Sequence, residues 1–241
     1  MKHINKLIDI ATQAGKIIDG YYNSDFAVEV KEDNSPVTEA DIAANDYIVG
    51  ELKKEFPDIP IVSEEGEKEG QGAKRFFLVD PLDGTKSFIA RTGQFTVNIG
   101  LIENQVPIAG VIYIPVSKDC YFADGQKAYK NGKQINCRKI PDNKVVIVAS
   151  KSHRTKETDE FIDGLNVEKI VSASSSLKFC LVAEGKADIY PRFGTTMEWD
   201  TAAGHAILAS AGGEVINPDG SPFYYGKKDF RNGWFIGYGE K

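Results

Sequence analysis

Apolar residues recur with helical spacing at the start of the chain, at Ile4, Leu7, Ile8, Ala11, Ala14, Ile17 and Ile18. That period predicts an amphipathic helix with one buried face. Asn34-Ser35-Pro36 interrupts the pattern. A second helix is predicted from Thr38 to the neighbourhood of Phe56-Pro57, with Ile42, Tyr47, Ile48, Val49 and Leu52 as its apolar positions. A short strand over 59–63 leads into Glu64-Glu65, and the charged, glycine-containing stretch 66–74 reads as a loop. The unbroken run Phe76-Phe77-Leu78-Val79 reads as a buried strand, ended by a turn at Pro81 and Gly84. Strands are predicted next over 96–102, 107–114 and 119–123, then a hairpin over 129–134 turning at Asn131-Gly132.

Near Pro141 the pattern changes. Strands are predicted over 145–149, 169–173 and 187–190, and helices over 156–165, 175–185 and 201–211, the last ending at Gly212-Gly213. Strands alternating with helices predict an α/β lobe, 142–241, joined to an α+β lobe, 1–141, in which two helices precede a mostly antiparallel sheet. No linker is long enough to separate two independent domains, so both lobes belong to one catalytic unit. No repeat or low-complexity segment is present.

Composition narrows the function class. A chain of 241 residues that is 41% hydrophobic and 27% charged has the make-up of a globular enzyme with a sizeable core. A net charge of −6 argues against a general nucleic-acid binder, which needs a basic stripe. Cys120, Cys137 and Cys180 are scattered without CxxC spacing, which fits a reducing, cytoplasmic compartment. His3, His153 and His205 are isolated, which disfavours zinc. No apolar run has the length of a membrane span and the first residues lack a signal-peptide core, while peripheral membrane contact stays open.

The chemistry concentrates in Val79-Asp80-Pro81-Leu82-Asp83-Gly84-Thr85. In a regular strand Asp80 and Asp83 would point to opposite faces; a tight turn would fold both toward one point. Two carboxylates at one point repel, and a divalent cation relieves the repulsion. Gly84-Thr85 can open a helix whose unpaired N–H groups accept a phosphate. Alone, an Asp-Pro turn of this kind is commonly just solvated.

Four further segments complete the constellation. Thr38 and Asp41 match a capping box, which would explain both without any function; Asp41 could equally accept a proton from a threonine hydroxyl. Ser63-Glu64-Glu65-Gly66 puts a carboxylate at the exit of a buried strand, though acidic pairs at loop entries are usually solvated. In Glu198-Trp199-Asp200-Thr201-Ala202-Ala203-Gly204-His205, Asp200 could simply cap a helix, and the small residues after it let that helix lie close to a sheet or a ligand. Ser174-Ser175-Ser176-Leu177-Lys178-Phe179 and Tyr190-Pro191-Arg192 supply a lysine and an arginine that are ordinarily solvated and that could instead grip an anion. His205 reads as packed within its helix.

Taken together and in this order, the DPLDGT, Glu-Glu and WDTAAG segments resemble the magnesium-dependent, lithium-sensitive phosphatases related to inositol monophosphatase. The stretches 174–185 and 190–194 are most similar to the 3′(2′),5′-bisphosphate nucleotidases of the bacterial CysQ type, and Thr195-Thr196-Met197-Glu198 departs from that pattern. The resemblance runs along essentially the whole chain. It implies a layered αβαβα sandwich. It implies two Mg²⁺ ions, one on Glu64, Asp80 and the Leu82 carbonyl and one on Asp80, Asp83 and Asp200, with a third, weaker site near Asp41 or Glu64. Thr85 would orient the attacking water, with Asp41 or Glu64 taking up its proton. Gly84 and Thr85 would hold the reacting phosphate. Ser175, Lys178 and Arg192 would hold a second phosphate, and His153, which otherwise reads as an exposed loop residue, would lie near the nucleotide. The implied reaction converts adenosine 3′,5′-bisphosphate (PAP) to AMP and phosphate, and the sulfated analogue PAPS to APS, recycling a by-product of sulfate activation. The alternatives are an inositol or sugar phosphate phosphatase and a non-catalytic metal or nucleotide sensor. The implied location is cytoplasmic, with peripheral attachment to the inner membrane left open; the oligomeric state is not implied.

Overall fold

A computed structural model of the chain describes residues 2–31, 36–66, 68, 70–150 and 154–241. The first helix, α1 (Lys2–Tyr22), is followed by a small hairpin of β1 (Val28–Val30) and β2 (Pro36–Thr38), then α2 (Glu39–Glu55). The hairpin has no counterpart in the hydrophobic pattern, because Val28 and Val30 are exposed. Pro36 starts β2 rather than merely breaking the chain, and Thr38 is the residue before α2 rather than its first turn.

Next come β3 (Ile61–Ser63), β4 (Arg75–Asp83), the short helix α3 (Thr85–Ile89), β5 (Thr96–Glu103), β6 (Val106–Ile114), β7 (Asp119–Ala123), β8 (Ala128–Lys130) and β9 (Lys133–Ile135). These seven strands form one sheet in chain order; β3 and β4 are parallel and the others antiparallel. The remaining elements are β10 (Val145–Ala149), α4 (Lys156–Asp163), β11 (Val167–Ser172), α5 (Leu177–Ala183), β12 (Ile189–Arg192), a 3₁₀ turn (Glu198–Asp200), α6 (Ala202–Ser210), β13 (Glu214–Ile216) and β14 (Phe235–Tyr238). They build a mixed five-stranded sheet in the order β11-β10-β12-β14-β13.

Alternation within the strands sorts the cores. In β4 and β5, Phe77, Val79, Val97 and Ile99 face α1 and α2, where they meet Leu7, Ile18, Ile48 and Leu52. Phe76, Leu78 and Ile102 face the opposite way, onto a core shared with Phe179, Val182 and Ile207 of α5 and α6 and with Val146, Val148 and Phe235 of the second sheet. On the outer face of that second sheet, Ile162 of α4 packs on Val145, Ile147 and Ile189. The result is five layers, αβαβα.

Two local devices position the acidic side chains. The first is a bulge. Asp80 pairs with Asn98 and Asp83 with Thr96, so two residues of β4 oppose one of β5. Asn98 and Thr96 are two apart and share a face; the bulge brings Asp80 and Asp83 onto that same face. The strand therefore continues through Pro81 instead of ending there, and the bulge takes the place of the expected tight turn. The second device is close approach. A Cβ on Gly100 would lie 2.7 Å from the Ala202 Cβ, and one on Gly110 would lie 2.7 Å from the Ala203 carbonyl oxygen. Glycine at these two sites lets the start of α6 rest on β5 and β6, as the small residues of 201–204 predict. Among the described residues, no helix is long and apolar enough to cross a membrane.

Candidate active site

Carboxylates from three elements meet beside the bulge. Because β3 and β4 run parallel, with Ser63 opposite Val79, Glu64 leaves the sheet at the end where Asp80 sits, and its N–H donates to the Val79 carbonyl at 3.1 Å. Asp200 arrives from the 3₁₀ turn that α6 continues. One carboxylate oxygen from each of Glu64, Asp80 and Asp200 lies within 4.8 Å of the others. Asp83 lines the same cavity, outside that closest group. Its Oδ2 accepts from the Ser176 N–H at 2.7 Å and from Asn98 Nδ2 at 3.2 Å. Asp200 does not cap α6; its Oδ2 accepts the Met197 N–H at 2.8 Å and ties down its own turn.

Behind this group, Asp41 is buried at the start of α2. Its Oδ2 accepts from the Thr38 N–H at 2.9 Å and the Thr38 hydroxyl at 2.5 Å, while Oδ1 lies 3.1 Å from the Thr85 hydroxyl. Thr85 Oγ1 also approaches the Leu82 carbonyl at 3.2 Å. The capping and catalytic readings of Asp41 are therefore compatible: one oxygen serves the helix start and the other faces Thr85. Gly84 adopts φ 95°, where an L side chain is strained, and a Cβ there would meet the Gln94 carbonyl oxygen at 3.0 Å.

Ser175, Lys178 and Arg192 line the same cavity, of about 340 Å³. Lys178 is buried; its Nζ donates to the Ser175 carbonyl at 2.5 Å and sits 5.2 Å from the Tyr190 ring centroid. Leu82, Gly84 and Thr85 also line the cavity. Asp41 reaches it only through Thr85. His153 falls outside the described residues. His205 is buried against Tyr225, with Nδ1 3.2 Å from the Tyr225 hydroxyl, and burial pulls its pKa down to about 3. It is a packed, neutral side chain.

The electrostatics are those of crowded carboxylates. Burial first, then the charges of Glu64, Asp83 and Asp200, push the Asp80 carboxyl well above the carboxylate range. Asp200 is raised likewise by burial and by Asp83 and Glu64. Burial pushes Asp83 up to about 6, against the opposing Lys178 charge and the Ser176 and Asn98 hydrogen bonds. Lys178 is pulled down to about 8 by burial, with Asp83 opposing. Asp41 is raised by burial despite its bonds to Thr38 and Thr85. Hard oxygen donors, mutually repelling and partly desolvated, fit a divalent ion such as Mg²⁺.

The profile of the Inositol monophosphatase family matches residues 2–233. The chain belongs to the inositol monophosphatase family. Within this family of metal-dependent phosphatases, it is 47% identical over 231 residues to the 3′(2′),5′-bisphosphate nucleotidase CysQ of Escherichia coli strain K12, covering 92% of this chain and 93% of that protein. The protein of the same name from Haemophilus influenzae is 34% identical over 237 residues, covering 94% and 88%. Among solved structures, CysQ from Bacteroides thetaiotaomicron superposes with a TM-score of 0.87 at 43% identity, covering 100% of this chain and 98% of that one. A Thermotoga maritima IMPase superposes with a TM-score of 0.84 at 27% identity, covering 99% and 92%.

Several residues of this inositol monophosphatase-type site carry no motif of their own in the sequence. Lys86, Ser87 and Ser150 line the cavity. Lys31 bonds Glu64 at 3.0 Å and also pairs with Glu65. Asn98 holds Asp83, together with Ser176 of the 174–179 segment. A signal for Asn98 was present: Thr96 and Asn98 are polar and two apart inside an otherwise apolar strand, which marks one face as something other than core. Glu198, in the stretch that departs from the subfamily pattern, is fully buried. It accepts from the Gly226 N–H at 2.8 Å and the Lys227 N–H at 2.9 Å, clamping residues 226–227 onto the turn that carries Asp200.

Proposed function

We propose that the chain is a Mg²⁺-dependent 3′(2′),5′-bisphosphate nucleotidase that hydrolyses the 3′-phosphate of PAP to give AMP and phosphate, and of PAPS to give APS. The observation that carries this reading is the 47% identity over 92% of the chain with the E. coli nucleotidase. The site supports it. Ser175, Lys178 and Arg192 line the cavity with the carboxylates and would serve a second phosphate, which a monophosphate lacks.

When bound, Mg²⁺ supplies charge neutralisation at the phosphoryl group and a lowered pKa for the attacking water. Glu64, Asp80 and the Leu82 carbonyl would hold one ion, and Asp80, Asp83 and Asp200 another. A third, weaker position would lie near Asp41 or Glu64. With its hydroxyl donating to Asp41, Thr85 presents oxygen lone pairs and accepts a hydrogen bond from the incoming water, fixing its direction. In-line attack forms the new P–O bond as the bond to the ribose 3′ oxygen breaks. The water's proton passes to the Asp41–Thr85 pair or to Glu64, and solvent reprotonates the leaving oxygen. Main-chain N–H groups at Gly84 and Thr85 steady the phosphate.

On this reading, lobes 1–141 and 142–241 form one catalytic unit. The first supplies most cation ligands and the second supplies Asp200 and the specificity residues. The enzyme would work in the cytoplasm, in the disposal of PAP during sulfur assimilation. The test is a substrate panel with Mg²⁺, with and without Li⁺. PAP should be turned over with a kcat/KM well above that of inositol 1-phosphate, and Li⁺ should inhibit. A preference for the sugar phosphate would replace this reading with the inositol phosphatase one, and no turnover of either would favour a sensor.

A further inference from the structure

Three polar side chains are buried beside Asp83 and do not line the cavity: Thr96 and Asn98, each 0% exposed, and Ser176, 2% exposed. They join two elements of different lobes. Asn98 Nδ2 donates to Asp83 Oδ2 at 3.2 Å. Asn98 Oδ1 lies 3.1 Å from the Thr96 hydroxyl and 2.8 Å from the Ser176 hydroxyl, and these two hydroxyls are 2.8 Å apart. A carboxylate only accepts, so the amide must turn its NH₂ toward Asp83 and its oxygen toward the hydroxyls. The Ser176 main chain donates to the same Asp83 oxygen at 2.7 Å. Both bonds fall on Oδ2, which leaves Oδ1 for a cation.

The same cluster fixes the anion-facing loop. Ser175 adopts φ 51°, a left-handed conformation that a non-glycine residue keeps only when its surroundings hold it. Its carbonyl accepts the Lys178 ammonium, and its hydroxyl lies 3.3 Å from Thr96 Oγ1. The register explains why Asn98 can do this: it stands opposite Asp80 across the strand pair, and the bulge brings Asp83 round to the same face.

We infer that Asn98 is a positioning residue that orients Asp83 for cation binding and locks residues 174–176, so that the cation site and the second-phosphate site are held by one buried amide. The second half of this inference rests on the proposed nucleotidase reading; the first half does not.

The test uses Asn98→Leu, which keeps the number and branching of side-chain heavy atoms while removing the amide, and Asn98→Ala. Calorimetric titration of the metal-free protein with Mg²⁺, without substrate, should show affinity about tenfold weaker than in the parent, the usual scale for removing a group that orients a metal ligand. Turnover lost at limiting Mg²⁺ should return when Mg²⁺ is raised about tenfold, a rescue that general structural damage would not show. At saturating Mg²⁺, KM should rise for PAP and not for 3′-AMP. Unchanged Mg²⁺ affinity in a folded variant overturns the cation-positioning role. An equal KM change for both substrates overturns the coupling. If neither variant folds, Ser176→Ala keeps the main-chain bond to Asp83 and removes one hydroxyl from the amide. It should weaken Mg²⁺ binding at least about twofold, a small share of the tenfold scale, and unchanged binding overturns the inference. Absence of PAP turnover in the parent, with the Mg²⁺ result as expected, would remove the nucleotidase reading and leave the positioning role standing.

Discussion

At the residue scale, the site works by crowding like charges. Asp80 and Asp200 each sit where burial and neighbouring carboxylates disfavour their charged forms, and burial raises Asp83 to about 6. A carboxyl whose folded pKa is raised contributes stability that is full below the ordinary carboxylate range and is lost as pH rises through the folded value. The metal-free protein should therefore lose stability as pH rises from about 4 through the raised folded values, about 6 for Asp83 with Asp80 and Asp200 raised in the same direction, and its Tm should fall by about 5 °C. Lys178, lowered to about 8, acts in the other direction only above that window. Thermal unfolding in chelator across this range checks the sign; a rising Tm would contradict the electrostatic account. Asp83→Asn keeps an oxygen for Ser176 and Asn98 but removes a charge needed by the cation. It should lower kcat at least about a hundredfold without lowering the metal-free Tm. Lys178→Met keeps the buried stem and removes the ammonium. The ratio of kcat/KM for PAP over 3′-AMP should then fall about tenfold to a hundredfold, the scale of a charged hydrogen bond; equal losses would take Lys178 out of the specificity site.

At the scale of the elements, the site exists because a bulge in β4 and two glycines in β5 and β6 bring three chain segments to one point. Gly100→Ala would press a methyl against Ala202 and push the start of α6, and Asp200 with it, off the sheet. Overpacking of this kind costs about 1–3 kcal/mol, so both Tm and Mg²⁺ affinity should drop; an unchanged Mg²⁺ affinity would show that α6 does not set Asp200. The same devices divide what the sequence makes legible from what it hides. Helices α1 and α2, the core strands and the acidic residues of the cavity can be read from period, punctuation and motif. The bulge escapes such a reading because proline and glycine signal a local stop, whereas the pairing of Asp83 with Thr96 is decided by a separate strand. The β1–β2 hairpin escapes it because its valines are exposed and carry no core signal. Asn98 needs the face assignment of β5 before its polarity means anything.

For the whole molecule, two sheets share α5 and α6 as a common inner layer, and the carboxylates come from the seven-stranded sheet and from the turn that leads into that layer. Folding gathers the carboxylates, and a cation that binds only the gathered set must stabilise the fold in return. Saturating Mg²⁺ should raise the Tm by several degrees, by about 2.7 kcal/mol at a hundredfold excess over Kd; no shift would mean that the carboxylates do not act as one site. The most direct measurement is anomalous scattering from crystals soaked in Mn²⁺. The account predicts peaks within about 2.0–2.3 Å of carboxylate oxygens, one on Glu64 and Asp80 and one on Asp80, Asp83 and Asp200. A map with no peak among these four side chains would contradict it.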